Sequence, residues 1–320
     1  MADLDATDAA PWRRTSDDPV VDGDASSRWQ AEREYRTLTY EVDGRIARIT
    51  FDRAEQGNAI TPDTPLDLAH AVERADLDPR VHVIVVSGRG KGFCGGYDLA
   101  AFAEQAIPNH DPEQTWDPMV DYAMMSRFTR GYASLLHADK PTVAKIHGFC
   151  VAGGTDIALH CDQILIAADA KIGYPPTRVW GVPSAGLWAH RLGDQRAKRL
   201  LLTGDSLSGR EALEWGLAIE APEPEDLDAR TEHLLARIAA MPVNQLMMVK
   251  LALNSALVAQ GVENSRMIST VFDGISRHTR EGYSFAARSM EVGFRQAVAE
   301  RDGPPFGDAG PSTNKGEDPR

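Results

Sequence analysis

Hydrophobic and polar positions change rhythm along the chain, from short alternating or apolar runs early on to longer stretches of helical period later. Residues 38–42 and 45–51 flank Asp43-Gly44, a dipeptide suited to a tight turn, and Ala47, Ile49 and Phe51 alternate with Ile46, Arg48 and Thr50. This predicts a strand pair. Thr61 before Pro62, with Asp63 in the first turn, marks a helix start, after which Leu66, Ala69 and Val72 share one face. Residues 81–86 form a nearly continuous apolar run ending in Ser87-Gly88, as expected of a strand covered on both faces of a parallel sheet, and 142–146 and 163–167 look alike. Helical stretches separate these runs. In the longest, at 119–138, Val120, Met124, Phe128, Tyr132 and Leu136 recur every four residues; core packing is one reading of that stripe, an acyl-pocket lining the other.

The pattern therefore predicts an α/β fold of repeated strand-helix units. From Ser184 onward it is helical nearly throughout, and stretches such as 225–241, 243–260 and 283–300 have no predicted strand left to cover, so they are expected to pack on the core or on another subunit. The expected organisation is a flexible tail at 1–35, a core at 36–224, a helical region at 225–306 and a second flexible tail at 307–320, both tails being polar without apolar periodicity.

With 320 residues, 42% of them hydrophobic, the chain can bury a core of its own. It has no run of eighteen apolar residues and its first residues are polar and acidic, so no membrane span or secretion signal is expected and the cytoplasm is the expected location. A formal net charge of −13 leaves no broad basic face for nucleic acid or an anionic membrane, although a compact anionic ligand can still be held locally by backbone N–H groups and a few basic side chains. The three cysteines, Cys94, Cys150 and Cys161, lack C-x-x-C spacing, so neither a disulfide framework nor a metal site is expected.

Two glycine-rich turns carry the candidate chemistry. The first follows the third predicted strand as GRGKGFCGGYDLA, where Gly90, Gly92 and Gly95 match G-x-G-x-x-G but stand behind a hairpin and a helix rather than after a first strand, as a dinucleotide site would require. The P-loop pattern fails as well, because Lys91 is followed by Gly92. The second turn follows the next strand as HGFCVAGGTDIA. Glycines at such strand-to-helix junctions let the backbone approach a ligand and turn N–H groups toward it. Two junctions that each present one N–H can bracket a single oxygen, which is how an oxyanion hole is built.

At this point the sequence resembles the enoyl-CoA hydratase/isomerase family, the crotonase superfamily, over about residues 37–306. The resemblance rests on RAEQGNAI at 53–60, VIVVSGRGKGFCGGYDL at 83–99, KPTVAKIHGFCVAGGTDIALHCD at 140–162, IGYPPTRVWGVPSAG at 172–186 and LTGDSLSGREALEWG at 202–216, in that order. It implies a spiral of ββα units with a helical C-terminal region that builds trimers, often paired into hexamers, and a coenzyme A thioester as substrate with no separate cofactor. Position by position, it implies backbone N–H groups of Tyr97 and Gly153 on the thioester oxygen, the Tyr97 ring as a pocket wall, and Asn58, Ala59, Tyr97, Asp98, Leu99 and Ala100 along the coenzyme.

The acid-base set departs from the pattern. Hydration of an enoyl double bond needs one group to activate water and one to deliver a proton to the α-carbon, and hydratases of the family use two glutamates. The first position is Asp156 here; the second falls on Pro176, which can neither accept nor deliver a proton. Tyr174, Arg178, His147 and an acid of the insertion at 107–118 are candidates to fill the gap. Each has a plainer reading: an ion pair for Arg178, a packed strand-end histidine for His147, an acid favoured by the helix dipole for Asp156. As a substrate-binding residue, Arg178 would pair with an extra carboxylate. At the end that holds the nucleotide in many relatives, Arg301 and Phe306 are kept, while an expected lysine is Glu300. The leading expectation is enoyl-CoA hydration. The alternatives are another reaction on a CoA thioester (decarboxylation, hydrolysis or isomerisation) or a silent acyl-CoA-binding protein, with a dinucleotide-dependent oxidoreductase resting on the glycine match alone.

Overall fold

The computed structural model describes residues 34–102, 110–304 and Phe306, so the tails expected at 1–35 and 307–320 lie almost wholly outside the described residues. Strands β1 (Leu38–Asp43) and β2 (Ile46–Phe51) form the expected antiparallel hairpin, with Ala47, Ile49 and Phe51 buried. Helix α1 (Thr64–Leu77) begins two residues later than the sequence predicts. The Thr61 N–H donates to Thr64 Oγ1 at 3.0 Å and Pro65 occupies the first turn, so Thr61 precedes the helix instead of capping it. The buried stripe is accordingly Leu68, Ala71, Val72 and Ala75, and Leu66 faces solvent.

Strand β3 (Val83–Gly88) is followed by α2 (Leu99–Phe102), α3 (Pro118–His137), β4 (Thr142–Ile146), β5 (Phe149–Val151), α4 (Gly153–His160), β6 (Gln163–Ile166) and β7 (Lys171–Gly173). Then come α5 (Ala185–Leu192), α6 (Asp194–Thr203), β8 (Ser206–Ser208), α7 (Gly209–Trp215) and α8 (Leu227–Ala239). The chain closes with α9 (Val243–Ala259), α10 (Val262–Arg277), α11 (Arg280–Val292) and α12 (Phe294–Asp302). One sheet runs β1-β2-β3-β4-β6, parallel from β2 onward; a smaller one runs β5-β7-β8. A strand of the large sheet is thus followed by a strand of the small one, as in β4-β5-α4. The short strands β5, β7 and β8 escape sequence reading because three residues carry no measurable alternation.

Helices α1 and α3 pack together, and on α3 Phe128, Tyr132 and Leu136 are buried as expected, whereas Val120 is exposed. Helix α8 corrects the expectation that the last helices have no sheet to cover. It packs against β3 and β6 and buries Leu227, Thr231, Leu235 and Ala239. A strand reached through parallel crossovers needs cover on both faces, and α8 supplies it from far along the chain. No single described helix is long and apolar enough to cross a membrane.

Asn58 ties the loops that lead to the site. It sits at φ 55° and is buried; its Oδ1 accepts the Arg53 N–H at 3.0 Å, and its Nδ2 donates to the carbonyls of Arg89 and Gly92, both at 2.9 Å. Asn58→Ala strands these backbone groups and should lower the stability by about 2–4 kcal/mol, read as a lower urea midpoint at unchanged slope.

Candidate active site

The loop after β3 runs alongside β5: the Phe93 N–H donates to the Phe149 carbonyl at 2.8 Å and the Val151 N–H to the Cys94 carbonyl at 3.0 Å. Beyond this pairing the two chains stay in contact, and a Cβ placed on Gly96 would stand 2.6 Å from Ala152 Cβ and 3.3 Å from the Gly153 nitrogen. Only glycine fits there, at φ 92°. Ala152 itself is held at φ 52°, ψ −132°, a conformation that costs a non-glycine residue about 1–3 kcal/mol and is retained where the surroundings over-determine it. The result is specific. Among the described residues the N–H groups of Tyr97 and Gly153 have no protein acceptor, although the two junctions are neighbours: a Cβ on Gly96, next to Tyr97, would lie 3.3 Å from the Gly153 nitrogen, and one on Gly153 would lie 3.0 Å from the Tyr97 ring. Gly153 opens α4, whose dipole adds to the attraction for negative charge.

Three residues along α4, and so on the same face, is Asp156. It is buried, and its Oδ1 accepts the Ser184 N–H at 2.8 Å. Burial pushes its carboxyl up to about 7; the backbone and hydroxyl of Ser184 oppose the rise, and the negative charge of Asp273 adds to it. Asp156 shares a narrow cavity of about 10 Å³ with Tyr97, Met125, Tyr174, Ser184 and Asp273, room for about one water. The Tyr97 ring, which lines the cavity, packs edge-on against Phe102 and Phe128 at 6.0 and 5.4 Å. Burial raises the phenols of Tyr97, Tyr132 and Tyr174, so these groups donate hydrogen bonds and do not act as bases near neutral pH.

The residues expected along the coenzyme form one connected stretch of backbone. The Ile60 N–H donates to Gly96 and the Asp98 N–H to Ile60, while Arg53 bridges the Ala59 carbonyl and the Asp98 carboxylate. Ala59, Asp98, Leu99 and Ala100 are half-buried. The Asn58 side chain, by contrast, is committed to the loop and has nothing left to offer a ligand.

Arg178 is held by the protein itself. Its guanidinium pairs with Asp302 at 3.0 Å and Asp205 at 3.5 Å, donates from Nε to the Thr203 carbonyl and lies 5.0 Å from the centre of the Phe306 ring. These contacts commit the guanidinium to partners within the fold. They also tie the residues on either side of α12's end into the fold, since Arg301 pairs with the same Asp302. His147 hydrogen-bonds the Gly90 carbonyl and stands apart from the cavity. Of the insertion, 107–109 lie outside the described residues, and Asp117 caps α3 through the Met119 N–H. The sequence reading missed Asp273. Four residues before Arg277 on a helix, it has the spacing of a solvated ion pair, yet it is buried at the cavity. Among the described residues no cluster of His, Cys, Asp or Glu suits a metal ion.

Residues 41–289 match the profile of the enoyl-CoA hydratase/isomerase family. The chain is 69% identical to an enoyl-CoA hydratase of Mycobacterium smegmatis of known crystal structure, with a TM-score of 0.80, covering 83% of this chain and 93% of that one. It is 30% identical to a putative enoyl-CoA hydratase of Thermus thermophilus over 74% of this chain and 90% of the relative. A crotonyl-CoA hydratase of Syntrophomonas wolfei is 27% identical over 83% of this chain and 96% of the relative. The protein belongs to the enoyl-CoA hydratase/isomerase family, and its α/β architecture with a helical C-terminal region is the crotonase fold that its sequence motifs imply.

Because the folded-state carboxyl of Asp156 is raised above the ordinary value near 4, its protonated form stabilises the fold at low pH, and that contribution is lost as pH rises through about 7. Asn resembles the neutral acid. Asp156→Asn should therefore melt higher than the parent at pH 8.5, by an amount worth at most about 4 kcal/mol, and the gap should close toward pH 4.

Proposed function

We propose that the protein hydrates 2-enoyl thioesters of coenzyme A. One observation carries the reading: two neighbouring backbone N–H groups without acceptors among the described residues, Tyr97 and Gly153, stand beside a buried acid, one helical turn from Gly153, whose carboxyl burial lifts to about 7. With the thioester oxygen between the two N–H groups, addition of water at the β-carbon drives the double-bond electrons into an enolate whose oxygen they stabilise, each donor contributing about 3–4 kcal/mol. Asp156 exchanges a proton with the α-carbon, and a carboxyl near 7 populates both of the forms that this requires. Coenzyme A arrives with the substrate, so no further cofactor enters the scheme.

The engagement of Arg178 weighs against the rival decarboxylase reading, because it removes the cation that would have held an extra carboxylate. The cytoplasm is the compartment we assign, in keeping with three buried free thiols. For assembly we propose copies of this chain as partners, as a trimer or paired trimers. The support is an apolar groove of about 400 Å³ walled by Met119, Tyr122, Met267, Ile268, Val271 and Phe272, together with exposed Leu251 and Leu253 on α9, more bare apolar surface than a monomer ordinarily keeps.

Crotonyl-CoA should lose its conjugated absorbance on mixing with the protein. Asp156→Asn should lower kcat at least about 100-fold with KM changed by no more than a few-fold. Binding without absorbance loss on short and long enoyl thioesters would overturn the hydratase reading. By light scattering the protein should run as a multiple of its 34.9 kDa chain, and Phe272→Glu should shift it toward the monomer.

A further inference from the structure

Proline at position 176 leaves the proposed hydratase one carboxylate short, and the tertiary structure brings a carboxylate to the cavity from a different direction. We propose that Asp273, on helix α10 of the C-terminal region, is the second carboxylate of the active site and the base that takes a proton from the attacking water. The inference rests on the hydratase reading above.

Asp273 is buried, and both of its oxygens are oriented by protein donors: the Val182 N–H reaches Oδ1 at 3.1 Å and Arg277 Nη2 reaches Oδ2 at 2.6 Å. It faces the same cavity as Asp156, and the space they share takes about one water. Two buried acids facing space for one water are a poor choice for stability, since the negative charge of Asp273 makes Asp156 harder to charge. Such pairs concentrate at functional sites. The negative charge of Asp273 also acts on Tyr97, Asp156 and Tyr174, all three on the core side of the cavity.

The surroundings hold Arg277 in place behind Asp273. Its Nη1 stands 3.9 Å from Asp121, which also accepts from Trp116 Nε1 at 2.7 Å and pairs with His278 Nε2 at 2.9 Å. His110 hydrogen-bonds the Arg277 carbonyl at 2.8 Å, and Trp116 stacks on His278 with centroids 4.6 Å apart. Residues 110–117 of the insertion thus supply packing behind the carboxylate rather than an acid of their own.

The chemistry balances. Water gives a proton to Asp273 as its oxygen bonds to the β-carbon, and the double-bond pair moves through the α-carbon onto the thioester oxygen. Protonated Asp156 then delivers its proton to the α-carbon as that pair returns, and the proton on Asp273 passes through the next water to Asp156.

Hydration of crotonyl-CoA and exchange of the C2 protons of butyryl-CoA in D2O separate the two roles, because exchange needs the oxyanion hole and Asp156 but no attacking water. Asp273→Asn should lower kcat for hydration about 100- to 1,000-fold, while leaving C2 exchange within about threefold. Asp156→Asn should lose both. Asp273→Asn/Arg277→Gln removes both charges, leaves no uncompensated cation if the single variant fails to fold, and should show the same split. Hydration within about threefold of the parent in the Asp273 variants would overturn the assignment while the hydratase reading stands, and so would parallel loss of hydration and exchange, the mark of a structural role. A parent that exchanges C2 protons but hydrates no enoyl thioester would instead bring down the hydratase reading and this role with it.

Discussion

The structure turns on how closely two strand-to-helix junctions approach each other. At Gly96 and Ala152 there is no room for a further methyl group, and one backbone accepts a strained conformation to make the approach. The strain has a local purpose: it leaves two neighbouring N–H groups without protein acceptors, where folded proteins nearly always pair such groups. The Asn58 clip, the pairing of the loop with β5 and the Arg53–Asp98 bridge all serve to keep that approach rigid. In the proposed reaction, rigid donors would need no reorganisation as charge develops between them.

Around the junction, charge is held in a low-dielectric setting by partners from distant segments. Asp156 on α4 is oriented by Ser184 before α5, and Asp273 on α10 by Val182 and Arg277. The cavity is therefore closed by the core on one side and the C-terminal region on the other. Helix α10 has two faces with different tasks. Ser269, Thr270 and Asp273 line the cavity, whereas Met267, Ile268, Val271 and Phe272 form the bare apolar groove outside, so the proposed assembly surface and the geometry of the cavity share one helix.

Much of this was legible along the chain. The hairpin, the buried parallel strands, the α3 stripe and both glycine-rich junctions are local signals, since each depends on residues within a few positions of one another. Asp156 was legible for the same reason, lying one turn from Gly153. Harder cases failed for want of length or phase: β5, β7 and β8 are too short to alternate, and α1 begins beyond Thr61 because the turn before it uses the Thr64 hydroxyl.

By itself, then, the sequence determined the class of fold, the two junctions and the place of Asp156 one turn into α4, because glycine, strand period and helix spacing act through the backbone nearby. Only the tertiary structure decided which polar side chains face the cavity and which serve the scaffold. Arg178, Asn58 and Asp273 are alike in having partners that lie 27 to 124 positions away. Whether a charged group is spent on an ion pair or turned toward a substrate is settled by desolvation and by the partner that packing brings, and neither is written in the residues beside it.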